Sequence, residues 1–263
     1  MSAARRPTPH HMTSPNASPV VVITGASAGI GAATTHLLAS RGHRVIAVAR
    51  RKDVLETVAR PHGTAVYAIA ADMTERSEVF RVIARGLTAF GHIDVWINNV
   101  GQGITRPPSQ LTDDDIDDVM RVNVKSALYG MQAILPHFKE RGTGHVINVS
   151  SMLGRIPLAT FRSAYCGAKH FLNALTATFR AEVQETHPGI EFSLVSPGVV
   201  RTEFGVNALH GGPDSRALPF SQSAEEVAEV IARTIETRAS DVYTRPGSAQ
   251  QVADYYAKLG VDG

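Results

Sequence analysis

The chain has 263 residues, 43% of them hydrophobic and 19% charged, the size and balance of one large globular domain. A net charge of +2 without a basic block offers nucleic acid no electrostatic footprint, and no apolar run is long enough to span a bilayer. The single cysteine, Cys166, excludes an intrachain disulfide and a cysteine-based metal centre, which fits a reducing, cytoplasmic setting.

Residues 1–19 read as a disordered tail, with Pro7, Pro9, Pro15 and Pro19 set among Ser, Thr and Ala. Arg5-Arg6 is not followed by the hydrophobic stretch of an export signal, and the His10-His11 pair has no further metal ligands near it. From Val20 onward, short apolar runs alternate with helical patterns. Strands are expected over 20–24, 44–49, 65–70, 95–98, 145–149, 192–195 and 241–243. Helices are expected over 30–41, 53–60, 76–90, 225–238 and 249–259, with another running through Tyr165 to about His187. A long one should start near Thr112 and run toward Arg141, bent at Pro136. Thr112 can cap it, and Asp113, Asp114 and Asp115 put negative charge at the positive end of its dipole. Strands that are apolar throughout and separated by helices make a parallel sheet covered on both faces, a doubly wound α/β fold in one domain. The one long irregular stretch, 203–223, is rich in Gly and Pro; its length marks it as functional or disordered.

Thr24-Gly25-Ala26-Ser27-Ala28-Gly29-Ile30-Gly31 leads from the first strand into the first helix. Glycines there let backbone amides approach a pyrophosphate at a helix N-terminus, although a tight turn would also favour them. Its position in the first βα unit points to a dinucleotide. Arg50 and Arg51 follow the second strand, where such a fold meets the adenosine ribose. Arginine suits a 2′-phosphate, so NADP(H) is favoured and NAD(H) is the alternative; a solvated basic pair is the bland reading. Asp72, past the third strand, can accept a hydrogen bond from the adenine amino group or cap the next helix, and Met73 joins it on the cofactor side. Asn98-Asn99-Val100-Gly101 ends the fourth strand close to the cofactor, Gly101 permitting backbone approach, while asparagines also suit a turn.

Tyr165 and Lys169 stand at i and i+4, on one face of a helix. A cation beside a phenol lowers its pKa and makes it a general acid/base. Cys166, one residue on, points elsewhere and reads as packing.

Taken in order, these motifs resemble the classical short-chain dehydrogenases/reductases over about residues 19–258. TGxxxGxG matches Thr24 to Gly31, NNAG matches Asn98 to Gly101 with Val100 for Ala, and YxxxK matches Tyr165 and Lys169. Asn123 matches the family's helix asparagine, Ser151 its catalytic serine, and Pro197-Gly198 its PG turn. The resemblance implies a single Rossmann-fold domain with about seven parallel strands. It also implies an NADP- or NAD-dependent enzyme that interconverts a carbonyl and an alcohol on a small-molecule substrate, without a metal. Tyr165 would move the proton, Lys169 would lower its pKa and hold the nicotinamide ribose, and Ser151 would bond the substrate oxygen. Asn123 would hold a water for proton resupply. Pro197 and Gly198 would shape the nicotinamide pocket, Val200 would offer backbone groups to the carboxamide, and Thr202 its hydroxyl. Relatives commonly form dimers or tetramers through the helices around 113–138 and 165–185. The 203–223 loop would set the substrate, with Met152, Leu153 and Phe161 as further pocket walls.

Two departures stand out. The Ser151-to-Tyr165 spacing is one residue longer than the commonest, which makes Ser150 a weak competitor, although the surrounding SSxxG pattern favours Ser151. Ser27 or Ala28 occupies the loop position where many NADP-preferring relatives carry a basic residue. A non-catalytic, dinucleotide-sensing relative is a rival reading, but such proteins usually lose the tyrosine or lysine. An extended-branch epimerase or dehydratase is another, disfavoured by its differently spaced glycine motif and by the short stretch after Pro197.

Overall fold

Seven parallel strands form one sheet in the order β3-β2-β1-β4-β5-β6-β7 in the structure, a computed structural model that describes residues 18–260. Residues 1–17 of the expected tail lie outside the described residues, with Arg5-Arg6 and His10-His11 among them. The strands are β1 Val20–Thr24, β2 Arg44–Ala49, β3 Val66–Ala70, β4 Val95–Asn98, β5 Gly144–Val149, β6 Ile190–Ser196 and β7 Asp241–Tyr243. The helices are α1 Gly29–Ser40, α2 Lys52–Ala59, α3 Arg76–Phe90, α4 Asp113–Met120, α5 Ser126–Arg141, α6 Ser163–Gln184, α7 Ala224–Thr237 and α8 Ser248–Ala257.

Period-two alternation sends neighbouring strand residues to opposite cores. Val20 and Val22 of β1 join Ile46, Trp96 and Phe192 in a core closed by Val82, Ile134 and Phe138 of α3 and α5. Val21 and Ile23 join Val45, Ala47 and Ile97 in the other, closed by Leu38, Leu55 and Ile231 of α1, α2 and α7. Burial on both faces is why every residue of β1 is apolar or threonine. Strand order reverses between β1 and β4, so the loops leaving their C-terminal ends diverge and open a crevice.

Element ends differ from the expectations by a few residues, and one helix differs in kind. The helix expected from Thr112 toward Arg141 is α4 and α5 joined by a π-helical turn over Arg121–Lys125. Asn123 sits in that turn, and its Nδ2 donates to the Val119 carbonyl at 2.9 Å, the i−4 acceptor. Pro136 lies within α5. The 203–223 stretch is an ordered loop with a short 3₁₀ turn at Ser215–Ala217. Isolated bridges tie Leu209 to Ile104 and Gln222 to Val200.

Candidate active site

The β1–α1 turn is shaped by what approaches it. A Cβ at Gly31 would lie 2.3 Å from the Gly25 carbonyl oxygen, so only glycine lets α1 start this close to β1. Asn99 clamps the turn: its Nδ2 donates to the carbonyls of Thr24 and Gly25 at 3.1 and 3.3 Å. Ala28 is the extended N-cap residue of α1 and supplies no side-chain acceptor, and the first turn contains no acid. The leading amides of α1 therefore face the cleft without a protein acceptor from either source. Gly25, Ser27, Ala28, Gly29 and Ile30 line that cleft, and Thr202 sits over Gly29.

Farther out, exposed Arg50 and Arg51 stand at the end of β2, and Arg51 Nη2 reaches Ser27 Oγ at 3.4 Å. Asp72 Oδ1 accepts from both the amide and hydroxyl of Thr74, a turn that precedes α3; both Asp72 and buried Met73 border the cleft. Asn98 does not line the cleft; it is buried and bonds Trp96 and Asn148, while Asn99, Val100 and Gly101 do line it.

At the other end of the cleft lie Ser151, Tyr165 and Lys169, all buried. Tyr165 and Lys169 share one face of α6, and Lys169 Nζ lies 5.7 Å from the phenol ring centre. Its ammonium donates to the Val149 carbonyl at 3.0 Å. The two serines diverge: Ser150 Oγ is taken by Asn173 Oδ1 at 2.5 Å, whereas the Ser151 hydroxyl acts on the Tyr165 phenol. The one-residue-longer spacing thus leaves Ser151, not Ser150, beside the tyrosine. Asn123 uses its side chain on the adjoining loop, exchanging hydrogen bonds with the Gln102 amide and carbonyl at 3.1 and 2.9 Å. This holds Gly101 next to Asn123 Oδ1 and Lys169 Nζ.

Electrostatics at this end correct one expectation. Burial pushes the Tyr165 phenol up to about 12, opposed by the Ser151 hydroxyl and then by the Arg162 guanidinium. Burial likewise pulls the Lys169 ammonium down to about 8. The shift of the phenol is thus upward, where a lowering by Lys169 was expected. Desolvation disfavours charge on both groups, and the cation that acts on the phenol is Arg162.

Pro197 and Gly198 border the cleft after β6, and the Pro197 carbonyl accepts from the Met152 amide at 2.8 Å. The amide of Arg201 and the carbonyl of Val199 both pair with the Gln222 backbone, whereas the amide and carbonyl of Val200 between them do not. Thr202 Oγ1 accepts from the Phe204 amide at 3.3 Å. Cys166 is buried, as a packing residue should be. A cleft of about 1280 Å³ joins the two ends, with Met152, Leu153, Phe161 and the 203–223 loop along its walls; Gly31, Asn123 and Cys166 lie behind its lining. Among the described residues, no three His, Cys, Asp or Glu side chains are placed to hold a metal ion.

Arg162, one turn before Tyr165, also enters this cleft and was not anticipated. Its i−3 spacing from the tyrosine was the available signal. Asn173, which fixes Ser150, and the pair Asp115–His210, which ties the 203–223 loop to α4, were likewise not anticipated.

A doubly wound sheet with a glycine cradle at its strand-order reversal, and a serine, tyrosine and lysine facing that cradle, defines an α/β oxidoreductase. The chain belongs to the short chain dehydrogenase family, whose model matches residues 19–211. It is 38% identical over 188 residues to an uncharacterized oxidoreductase of Staphylococcus saprophyticus, covering 70% of this chain and 75% of that protein. A short chain dehydrogenase/reductase from Burkholderia phymatum in complex with NAD shares the fold. Its TM-score is 0.84 at 22% identity, over 92% of this chain and 94% of that one. An alcohol dehydrogenase from Thermococcus sibiricus complexed with 5-hydroxy-NADP is 26% identical, with a TM-score of 0.73 over 86% and 96% of the two chains. The family binds nicotinamide dinucleotides, and the cradle fits such a group: the α1 amides are uncapped, no Cβ fills the Gly31 approach, and the Val200 backbone groups are unpaired.

Proposed function

We propose that the protein is an NADP(H)-dependent oxidoreductase that interconverts a carbonyl and an alcohol, with Tyr165 as general acid/base. The observation that carries this reading is the convergence of Ser151, Tyr165 and Lys169 in the cleft that also holds the glycine turn. When bound, the nicotinamide supplies or accepts the hydride. The chain supplies the rest. Tyr165 gives its phenolic proton to the carbonyl oxygen during reduction, or takes one from the alcohol. Ser151 hydrogen-bonds that oxygen and stabilises the charge that develops on it. Lys169 holds the nicotinamide ribose hydroxyls, and proton resupply through Lys169 runs along the edge that Asn123 keeps in place.

The remaining positions divide along the dinucleotide. Gly25, Ser27, Ala28, Gly29, Ile30 and Gly31 hold the pyrophosphate, Asp72 and Met73 the adenine, and Asn99, Val100 and Gly101 the adjoining ribose and backbone edge. Pro197, Gly198, Val200 and Thr202 hold the carboxamide end. Arg50 and Arg51 take the 2′-phosphate; the Arg51 contact with Ser27 supports this, since it keeps a guanidinium at the rim of the pyrophosphate turn. Uncharged Ser27 and Ala28 leave NAD(H) as the second reading. The substrate is a small molecule selected by the 203–223 loop. The enzyme works in the cytoplasm as a homodimer or homotetramer built on the outer faces of α4 to α6, where Ile116 and Phe171 are exposed. Among the described residues, no helix is long and apolar enough to cross a membrane.

Steady-state assays with NADPH and NADH against a carbonyl panel test the reading. The expected outcome is a clear kcat/KM preference for NADPH, and a kcat lowered by about 10²-fold or more in Tyr165→Phe with cofactor binding preserved. Turnover retained without the phenol would refute the tyrosine's role; comparable use of both cofactors would refute the arginine assignment.

A further inference from the structure

Arg162 is the N-cap residue of α6 and is only 8% exposed. No protein acceptor takes a hydrogen bond from its guanidinium, and no carboxylate pairs with it among the described residues. Its Nη1 is fully buried without a partner. The groups that act on its charge from nearby are the Tyr165 phenol and Cys166 thiol, with no Asp or Glu among them. Its immediate neighbours are apolar: the Phe161 and Phe204 rings lie 5.7 and 6.0 Å away. Gly103 abuts it so closely that a Cβ there would lie 2.4 Å from Nη1. The hydroxyl of Thr105, also buried without a partner, approaches the same point near Gly212 that Arg162 Nη2 faces.

A guanidinium whose Nη1 is buried with both of its donors unpaired is expensive to maintain unless an anion completes it. The dinucleotide phosphates are poor candidates, because Arg162 sits with Phe204 and Gly212 of the substrate loop and beside Tyr165. The planar fork matches a carboxylate. We propose that Arg162 anchors a carboxylate on the substrate, so that the enzyme acts on oxo acids and the corresponding hydroxy acids. This rests on the carbonyl–alcohol reading above. In that reading, Arg162 holds the acid end of a substrate whose carbonyl oxygen faces Ser151 and Tyr165.

Two measurements test it, one independent of turnover. In the first, wild type, Arg162→Gln and Arg162→Lys are assayed on 2-, 3- and 4-oxo acids and on their methyl esters. Wild type should favour the best acid over its ester at least 30-fold in kcat/KM. Arg162→Gln should lose that preference through KM, the acids falling at least tenfold further in kcat/KM than their esters, while any change that reaches Tyr165 lowers kcat for acid and ester alike. Arg162→Lys should retain part of it. In the second, butanoate, hexanoate and benzoate are titrated into the full-length protein with NADP present, against the matching amides. The acids should bind at least tenfold more tightly to wild type than to either variant, and the amides equally to all three.

Esters reduced as well as acids by wild type would overturn the proposal, as would equal losses on acid and ester in Arg162→Gln, the mark of a structural arginine. Carboxylates binding no better than amides would overturn it even if no carbonyl in the panel were reduced. Failure of every carbonyl, charged or neutral, to be reduced would count against the parent reading alone. If Arg162→Gln does not fold, Arg162→Lys and the titration of wild type decide.

Discussion

Lys169 is held where an ammonium is costly, and the sign of that cost gives a direct test. Its pKa falls from 10.5 to about 8 through burial. Below about pH 8, the folded and unfolded chains both carry the proton, and the folded state bears the full desolvation penalty. Between about 8 and 10.5 the folded lysine is neutral while the unfolded one stays charged, so this group's contribution to stability rises with pH. Lys169→Met should therefore gain stability over wild type at pH 7 from the relieved desolvation, less what the lost hydrogen bond to the Val149 carbonyl contributed. That gain should shrink as pH is raised toward 10 in thermal unfolding measurements; a gain independent of pH would reject the burial account. The same residue shows the limit of local reading. The i, i+4 spacing placed Tyr165 and Lys169 on one face, but not the burial that shifts both groups toward their neutral forms.

Elements are joined here by residues that do two jobs. Asp115 closes a capping box with Thr112 at the start of α4, a role the sequence displays. Its two oxygens also take His210 Nε2 at 2.6 Å and Arg106 Nη1 at 2.7 Å, which ties the 203–223 loop to α4. The His210 hydrogen bond, then the Thr112 amide, holds the Asp115 carboxyl well below the usual carboxylate range. Its stabilising effect is thus full above the ordinary carboxylate pKa and fades in acid. Asp115→Asn should loosen the loop, and limited proteolysis at pH 7 should cut within 203–223 several-fold faster than in wild type. An unchanged cleavage rate would show that the loop is held by other contacts. His210 lies 95 positions from Asp115, so no periodicity could have paired them. The π turn at Arg121–Lys125 was hidden for a related reason. An asparagine in a helical pattern looks like any polar helix residue until its amide is seen to take the Val119 carbonyl.

Across the whole molecule, a buried polar chain links the sheet to α6. Trp96 Nε1 donates to Asn98 Oδ1, Asn98 Nδ2 to Asn148 Oδ1, and Asn148 Nδ2 to Thr176 Oγ1, at 2.7, 2.8 and 2.8 Å. Asn98 and Asn148 are register partners on β4 and β5, which is what brings their amides together. Asn148→Ala should leave one Asn98 amide N–H unpaired, the other still on the Ala127 carbonyl, and Thr176 Oγ1 without its donor, costing about 3 kcal/mol. For a domain of this size, that is a fall of about 6–12 °C in Tm by calorimetry. A fall of under about 2 °C would mean the network is replaceable.

The sequence by itself determined the fold class, all seven strands to within two residues at each end, the glycine turn, and the Tyr165–Lys169 pair. Each is written in local signals: apolar runs, glycine spacing and helical periodicity all act between residues close in the chain. Only the tertiary structure decided that Asn173 takes the Ser150 hydroxyl and that Asn98 leaves the cleft for the core. It likewise decided that burial pushes the phenol's pKa up. It also left Arg162 beside the reactive end with its donors unspent. Those outcomes depend on which side chains meet across the sheet and how much water they exclude, and neither quantity is local.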